Sequence, residues 1–249
     1  EKWAQKKEEL EKKIRKSNLI KMKEINQVRS ITLWIFFIPF IALNLCLILI
    51  TQFHGLFPNQ EDVLLNTIPY IDGGASISRT ARVFPTYLIF KPAMFLTAIL
   101  LFIYWKNNNQ LVNNLNTTNL NYKFKTFGVL SAVFLVIHSI FLGIKFDLQI
   151  YKLFRRVVLL LFIIFEIIAQ GILVYHFYKL KKKLNDFINN KILILKIFLV
   201  GILATVAILS LPLLISKGNT HFKHALEWNY FVGVVIFYLL SRLFWKRTT

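Results

Sequence analysis

The chain has 249 residues, of which 56% are hydrophobic, 15% aromatic and only 17% charged. Soluble domains are nearer roughly 45–50% apolar and about a quarter charged, so this balance argues against both a disordered chain and an ordinary soluble enzyme. Thirty-one Lys and Arg against 12 Asp and Glu give a net charge of +19. The bases are interleaved with long apolar runs, which points to membrane spans flanked by cations that meet anionic lipid headgroups, and to no nucleic-acid partner. A single Cys46 excludes an intrachain disulfide and a thiolate zinc cluster.

Residues 1–30 read as a basic amphipathic helical arm. Trp3, Leu10 and Ile14 lie near one helical face, and Lys2, Lys6, Lys7, Lys12, Lys13 and Lys16 cover much of the rest. Ser17 or Asn18 is placed to cap a second helix that runs on into the first span. Residues 1–29 are expected to be solvated, to lie on anionic lipid, or to dock a protein partner.

Residues 31–249 form the membrane domain. Six runs, at about 31–53, 84–105, 126–145, 157–178, 192–216 and 228–245, meet the requirement of about 20 apolar residues per spanning helix. They are apolar nearly all round and lack the alternation of a β-barrel, so the fold class is an all-α, six-helix bundle. With the N-terminus inside, the inner segments hold ten bases (1–29), three (106–125), six (179–196) and three (242–247); the outer segments hold two, four and two. The positive-inside rule therefore puts both termini in the cytoplasm.

The connection 54–83 is long, and Pro58, Pro69, Gly73 and Gly74 make it turn-rich, so it is expected to fold over the outer mouth of the bundle. The Asn-rich stretch 106–123 reads as a flexible connector. Gly128, Ala132, Ser139 and Gly143 mark a close-packing face on the third span, and Pro212 is expected to kink the fifth.

Ionisable groups within spans are costly and point to function. The second span carries Lys91, the third His138, the fourth Glu166 with Gln170 one turn on, and the first Asn44. Counted from the ends of the apolar runs, these fall in the outer half of the membrane at about 10–15 Å depth. They are expected to form a polar pocket in which Glu166 pairs with Lys91 or His138; structural glue between helices, or Lys91 alone snorkelling outward, are the alternatives. Before the sixth span lie His221 and His224, then Glu227-Trp228-Asn229. Glu227 suits a helix N-terminus, where the dipole favours a carboxylate. His221, His224 and Glu227 are also a weak candidate metal set; otherwise no cofactor is expected. There is no GxSxG, P-loop, GxGxxG, HExxH, voltage-sensor or potassium-filter motif, so enzyme activity of a familiar kind is not indicated. An acid/base site on Glu166 and His138 remains open.

Pro69-Tyr70-Ile71-Asp72, then Ser76-Ile77-Ser78-Arg79 and Phe84-Pro85 ahead of the second span, resemble the first outer loop of the Frag/DRAM/Sfk family of six-span membrane proteins. Glu227-Trp228 is similar to the family's acidic–aromatic start of its last helix, and His138 to a His in its third. The resemblance covers 31–249 and departs from the family at Asp72-Gly73-Gly74 and at Lys91. It implies a role in lipid homeostasis or remodelling, with Glu227, Trp228, His138, Pro69 and Ser76 to Arg79 as lipid-headgroup or folding positions. The first expectation is therefore a lipid-handling membrane protein whose Arg79 and Arg82 meet phosphate oxygens. A structural subunit of a larger membrane complex and a proton-coupled transporter are the alternatives.

Overall fold

The computed structural model describes residues 2–115, 123–144, 149–215 and 218–246. Residues 116–122 of the Asn-rich connector, the flanking bases Lys145, Lys217 and Arg247, and the side chains of Leu10 and Ile14 lie outside the described residues. Among those described there are seven α-helices and no strand: α1 (Lys2–Gln52), α2 (Ile77–Ala81), α3 (Tyr87–Leu115), α4 (Lys123–Phe141), α5 (Gln149–Leu184), α6 (Asn190–Ile215) and α7 (Thr220–Phe244). Six segments are long and apolar enough to cross a membrane: Met22–Gln52 of α1, Tyr87–Leu115, Lys123–Phe141, Leu153–Leu184, Asn190–Ser210 and Thr220–Phe244. The chain is an all-α, multi-pass membrane protein.

The arm and the first span are one element. α1 is unbroken from Lys2 to Gln52, so neither Ser17 nor Asn18 starts a second helix, and the boundary at residue 30 is one of composition rather than backbone. Polar side chains leave the helical hydrogen bonds intact, and the helix runs on through Pro39, whose missing N–H removes the bond to the Ile35 carbonyl without ending it. Pro92 and Pro212 likewise sit inside α3 and α6. Such prolines are tolerated in membrane helices because neighbours re-satisfy the freed backbone groups.

Each spanning helix packs on the next, α1 on α3, α3 on α4, α4 on α5, α5 on α6 and α6 on α7, and α7 closes the ring on α1. An even number of crossings puts both termini on one face, here the terminal face; the loop face carries residues 53–86. Lipid supplies no hydrophobic drive between helices, so close packing and hydrogen bonds hold such a ring. Gly128 is an example: a Cβ there would lie 2.3 Å from the Trp105 indole, so glycine lets α3 seat its largest side chain against α4. Ala132 and Ser139 share that buried face, whereas Gly143 lies beyond α4, in a turn with φ +85°. Trp105, Trp228 and Trp245 are core residues rather than interfacial anchors, and Trp34 is exposed.

Candidate functional site

The polar residues of the spans separate into two groups. At about 1.5 Å per residue, Lys91 lies about 6 Å and His138 about 5 Å from the loop-face ends of their helices. Glu166 is near the midpoint of the 36-residue α5. Its partners Ser131 and Tyr238 lie about 12 and 9 Å from the terminal-face ends of α4 and α7. Glu166 therefore lies near mid-height, deeper than Lys91 and His138, and its hydrogen bonds go to neither. α5 starts at Gln149, eight residues before its apolar run, and this moves Glu166 deeper.

Glu166 is 1% exposed and fully partnered by neutral groups. Ser131 Oγ donates to Oε2 at 2.6 Å, Gln170 Nε2 to Oε1 at 2.9 Å, and the Tyr238 hydroxyl also donates to Oε1. Ser131 and Tyr238 were not picked out from the sequence, because a search for charges inside spans passes over hydroxyls. Lys91 turns outward: Nζ donates to the Ile140 carbonyl at 3.4 Å and lies 5.8 Å from the Tyr87 ring centroid.

The loop folds onto α7 by a set of cross-links. Asp72 organises the loop, accepting from Ile68 N and Gly74 N at 2.7 Å each and from Thr67 Oγ1 at 2.8 Å. These donors, Gly74 and Ile68 foremost, hold its carboxyl below the ordinary carboxylate range. Carbonyls only accept, so each imidazole facing one carries its proton on that nitrogen: His221 Nδ1 donates to Asp72 O at 3.1 Å and His224 Nδ1 to Gly73 O at 3.0 Å. Trp228 Nε1 donates to Ala75 O and Asn229 Nδ2 to Tyr70 O, each at 2.8 Å. The Tyr70 and Trp228 rings meet edge to face at 4.8 Å. The Tyr70 hydroxyl donates to Asn44 Oδ1 at 3.1 Å, which ties the loop to α1 as well. Burial, opposed by that bond, raises the Tyr70 phenol above its ordinary value.

Glu227 does not open α7, which starts seven residues earlier at Thr220 behind Asn219. Its carboxylate instead accepts from the backbone of Ile77, the first residue of α2, next to the Ser76 cap that accepts from Arg79 N. The segments 69–72, 76–79 and 227–228, which carry the family resemblance, thus meet in space. The same geometry commits His221 and His224 to loop carbonyls, and among the described residues no three His, Cys, Asp or Glu side chains converge on a metal position.

Beside this latch lies a basic corner. Arg79 is exposed at the end of α2, and Arg82 follows it. Arg155, near the start of α5, is in electrostatic range of Arg82 and of His138. Partial burial first, then Arg155 and Arg79, lower the Arg82 pKa; Asp62 is the acid that opposes them. His138 is 7% exposed; its Nδ1, and Nε of Arg155, are buried without a hydrogen-bond partner. Arg79, Arg82 and His138 stand out in the sequence, whereas Arg155 enters there only as one of the four bases of the second outer segment. That count is the signal: bases on the side where few are expected.

Comparison with family models, curated proteins and solved structures finds no significant match to this chain.

Proposed function

We propose that this membrane protein binds the phosphate of a lipid headgroup at the loop face, between Arg79, Arg82, Arg155 and His138. The observation that carries the reading is the gathering of Arg79 and Arg155 within electrostatic range of Arg82 with Asp62 as the opposing acid, while the buried nitrogens of His138 and Arg155 are left unspent. Like charges in such range repel, and a phosphate relieves the repulsion by accepting from two guanidiniums at once. Below the corner, the exposed apolar side chains of Leu88, Ile140, Leu153 and Val157 offer a surface to acyl chains. The resemblance to the Frag/DRAM/Sfk family supports the same reading, since one of the segments that carry it ends in Arg79. The test is the phospholipid retained per protein molecule after purification in mild detergent. The wild type is expected to retain headgroup lipid that Arg82→Ala/Arg155→Ala loses; equal retention by both refutes the proposal.

A second reading, a subunit of a larger membrane complex, is favoured by α1. The helix runs about 30 Å beyond its span, at 1.5 Å per residue, and leaves Trp3 87% exposed. Deleting residues 2–21 is expected to leave the bundle folded and, on this reading, to release it from its partner.

A further inference from the structure

Besides Glu166, the lysine Lys196 is buried in the bundle, and the lipid site does not use it. Lys196 is 0% exposed in α6, six residues in from the terminal-face end of the helix. Its ammonium lies 4.2 Å from the Phe237 ring centroid, 5.1 Å from that of Phe244 and 5.8 Å from that of Phe177. Nζ donates to Ser241 Oγ at 2.8 Å, and among the described residues no carboxylate reaches it.

A lone ammonium and a lone carboxylate in one dry bundle are each unfavourable unless something links them. Here hydroxyls extend from each charge toward the other, and the two ends meet at a pair of tyrosine rings. Ser241 Oγ donates to the Phe237 carbonyl at 2.8 Å and lies 3.3 Å from the Tyr104 hydroxyl, which donates to it in that arrangement. The Tyr104 and Tyr238 rings meet edge to face at 5.1 Å, and Tyr238 donates to Glu166. Asn108 is in hydrogen-bond range of the Tyr104 hydroxyl, and Gln170 of that of Tyr238. Asn108 Oδ1 and Gln170 Oε1, two buried acceptors flanking the Tyr104–Tyr238 step, have no partner. They are the acceptors that a water bridging the two phenols needs. On the terminal side, one turn from Lys196, a groove of about 620 Å³ is lined by Tyr178, Lys181, Lys182, Asn185, Asn190 and Leu193.

We propose that Lys196 and Glu166 are the two ends of a buried proton relay, and that the bundle takes up a proton through it from the terminal face. Protonated Lys196 gives a proton to Ser241 Oγ, whose own hydrogen leaves the Phe237 carbonyl for Tyr104. The Tyr104 hydrogen passes to a bridging water, a hydrogen of that water to Tyr238, and the Tyr238 hydrogen to Glu166, so the water too ends unchanged. Each hydroxyl ends with one hydrogen, and one proton has moved. Ammonium and carboxylate become amine and carboxylic acid, so both buried charges vanish together. Lys196 then reloads from the groove. The groups facing Glu166 are Ser131 from α4, Tyr104 from α3, Gln170 along α5, and Tyr230 and Tyr238 from α7. Those facing Lys196 are Ser241, Phe237 and Phe244 from α7 and Phe177 from α5. Arg242, next to Ser241, is turned away toward the Arg29 carbonyl of α1.

The test is infrared titration of the full chain in lipid nanodiscs, following the protonated-carboxyl band that Glu166→Gln removes. Lys196→Met is expected to move the midpoint of that band to higher pH by at least about one unit, tenfold in proton concentration. Tyr238→Phe is expected to slow hydrogen–deuterium exchange of the band at least about tenfold. An unmoved midpoint in Lys196→Met, or unchanged exchange in Tyr238→Phe, overturns the relay. If either single charge variant fails to fold, Glu166→Gln/Lys196→Met decides: recovery of the folded protein supports coupling of the two charges, and its absence refutes it. Arg82→Ala/Arg155→Ala leaves the band unchanged, so loss of the lipid site and loss of the relay are separable.

Discussion

Gly73→Ala tests how the loop is held. Gly73 has φ +62°, and a Cβ built on it lies 1.7 Å from the His221 carbonyl oxygen and 2.5 Å from its carbon. Both are backbone atoms of α7, so no side chain can swing aside to make room. The left-handed conformation costs an ordinary L-residue about 1–2 kcal/mol. Relieving the clash also parts the loop from α7 at the His221 and His224 bonds, each worth about 0.5–1.5 kcal/mol net. The latch is therefore expected to weaken by roughly 2–5 kcal/mol, a shift of about 30- to 4,000-fold toward the open loop. Hydrogen exchange of residues 68–80 reads this directly, because the helices are expected to keep their protection. Phospholipid retention should fall in parallel, since Arg79 and Arg82 ride on the loop. Unchanged protection of 68–80 in the alanine variant would refute the latch as described.

The latch also has an acid limit. Asp72 titrates below its ordinary value in the fold, so its contribution is fully present above the unfolded carboxylate pKa of about 3.9 and is lost as pH falls through the depressed one. Loop protection is expected to take an acid step below about pH 4, with Asp72→Asn removing that step. Gly128→Ala is expected to destabilise the bundle by about 1–3 kcal/mol, because its methyl group meets the Trp105 ring. Gly201→Ala, with nothing within 4 Å of the new carbon, should be neutral in the same thermal-melting comparison.

Much of the fold is readable in the sequence because hydrocarbon imposes one demand on every span, and runs such as 192–216 answer it over their whole length. The polar interior was less readable, for three physical reasons. Depth was counted from the ends of apolar runs, but α5 continues past its run and carries Glu166 away from Lys91 and His138. Lys196 was grouped with the flanking bases, although the apolar run ILILKIFLVGI around it marks a cation inside a helix. The partners of Glu166 and Lys196 are hydroxyls on α3, α4 and α7, and only tertiary packing shows which hydroxyl meets which charge. By contrast, the segments 69–72, 76–79 and 227–228 were grouped by resemblance alone, and in the fold they touch through Asn229, Trp228 and Glu227.

The most direct test of the lipid assignment is an experimental density map of the full chain in nanodiscs containing an anionic phospholipid. The account predicts a headgroup phosphate bonded to the guanidiniums of Arg82 and Arg155, with His138 turned toward it. Arg82 and Arg155 paired instead with protein carboxylates, with the ordered lipid bound elsewhere on the bundle, would contradict it.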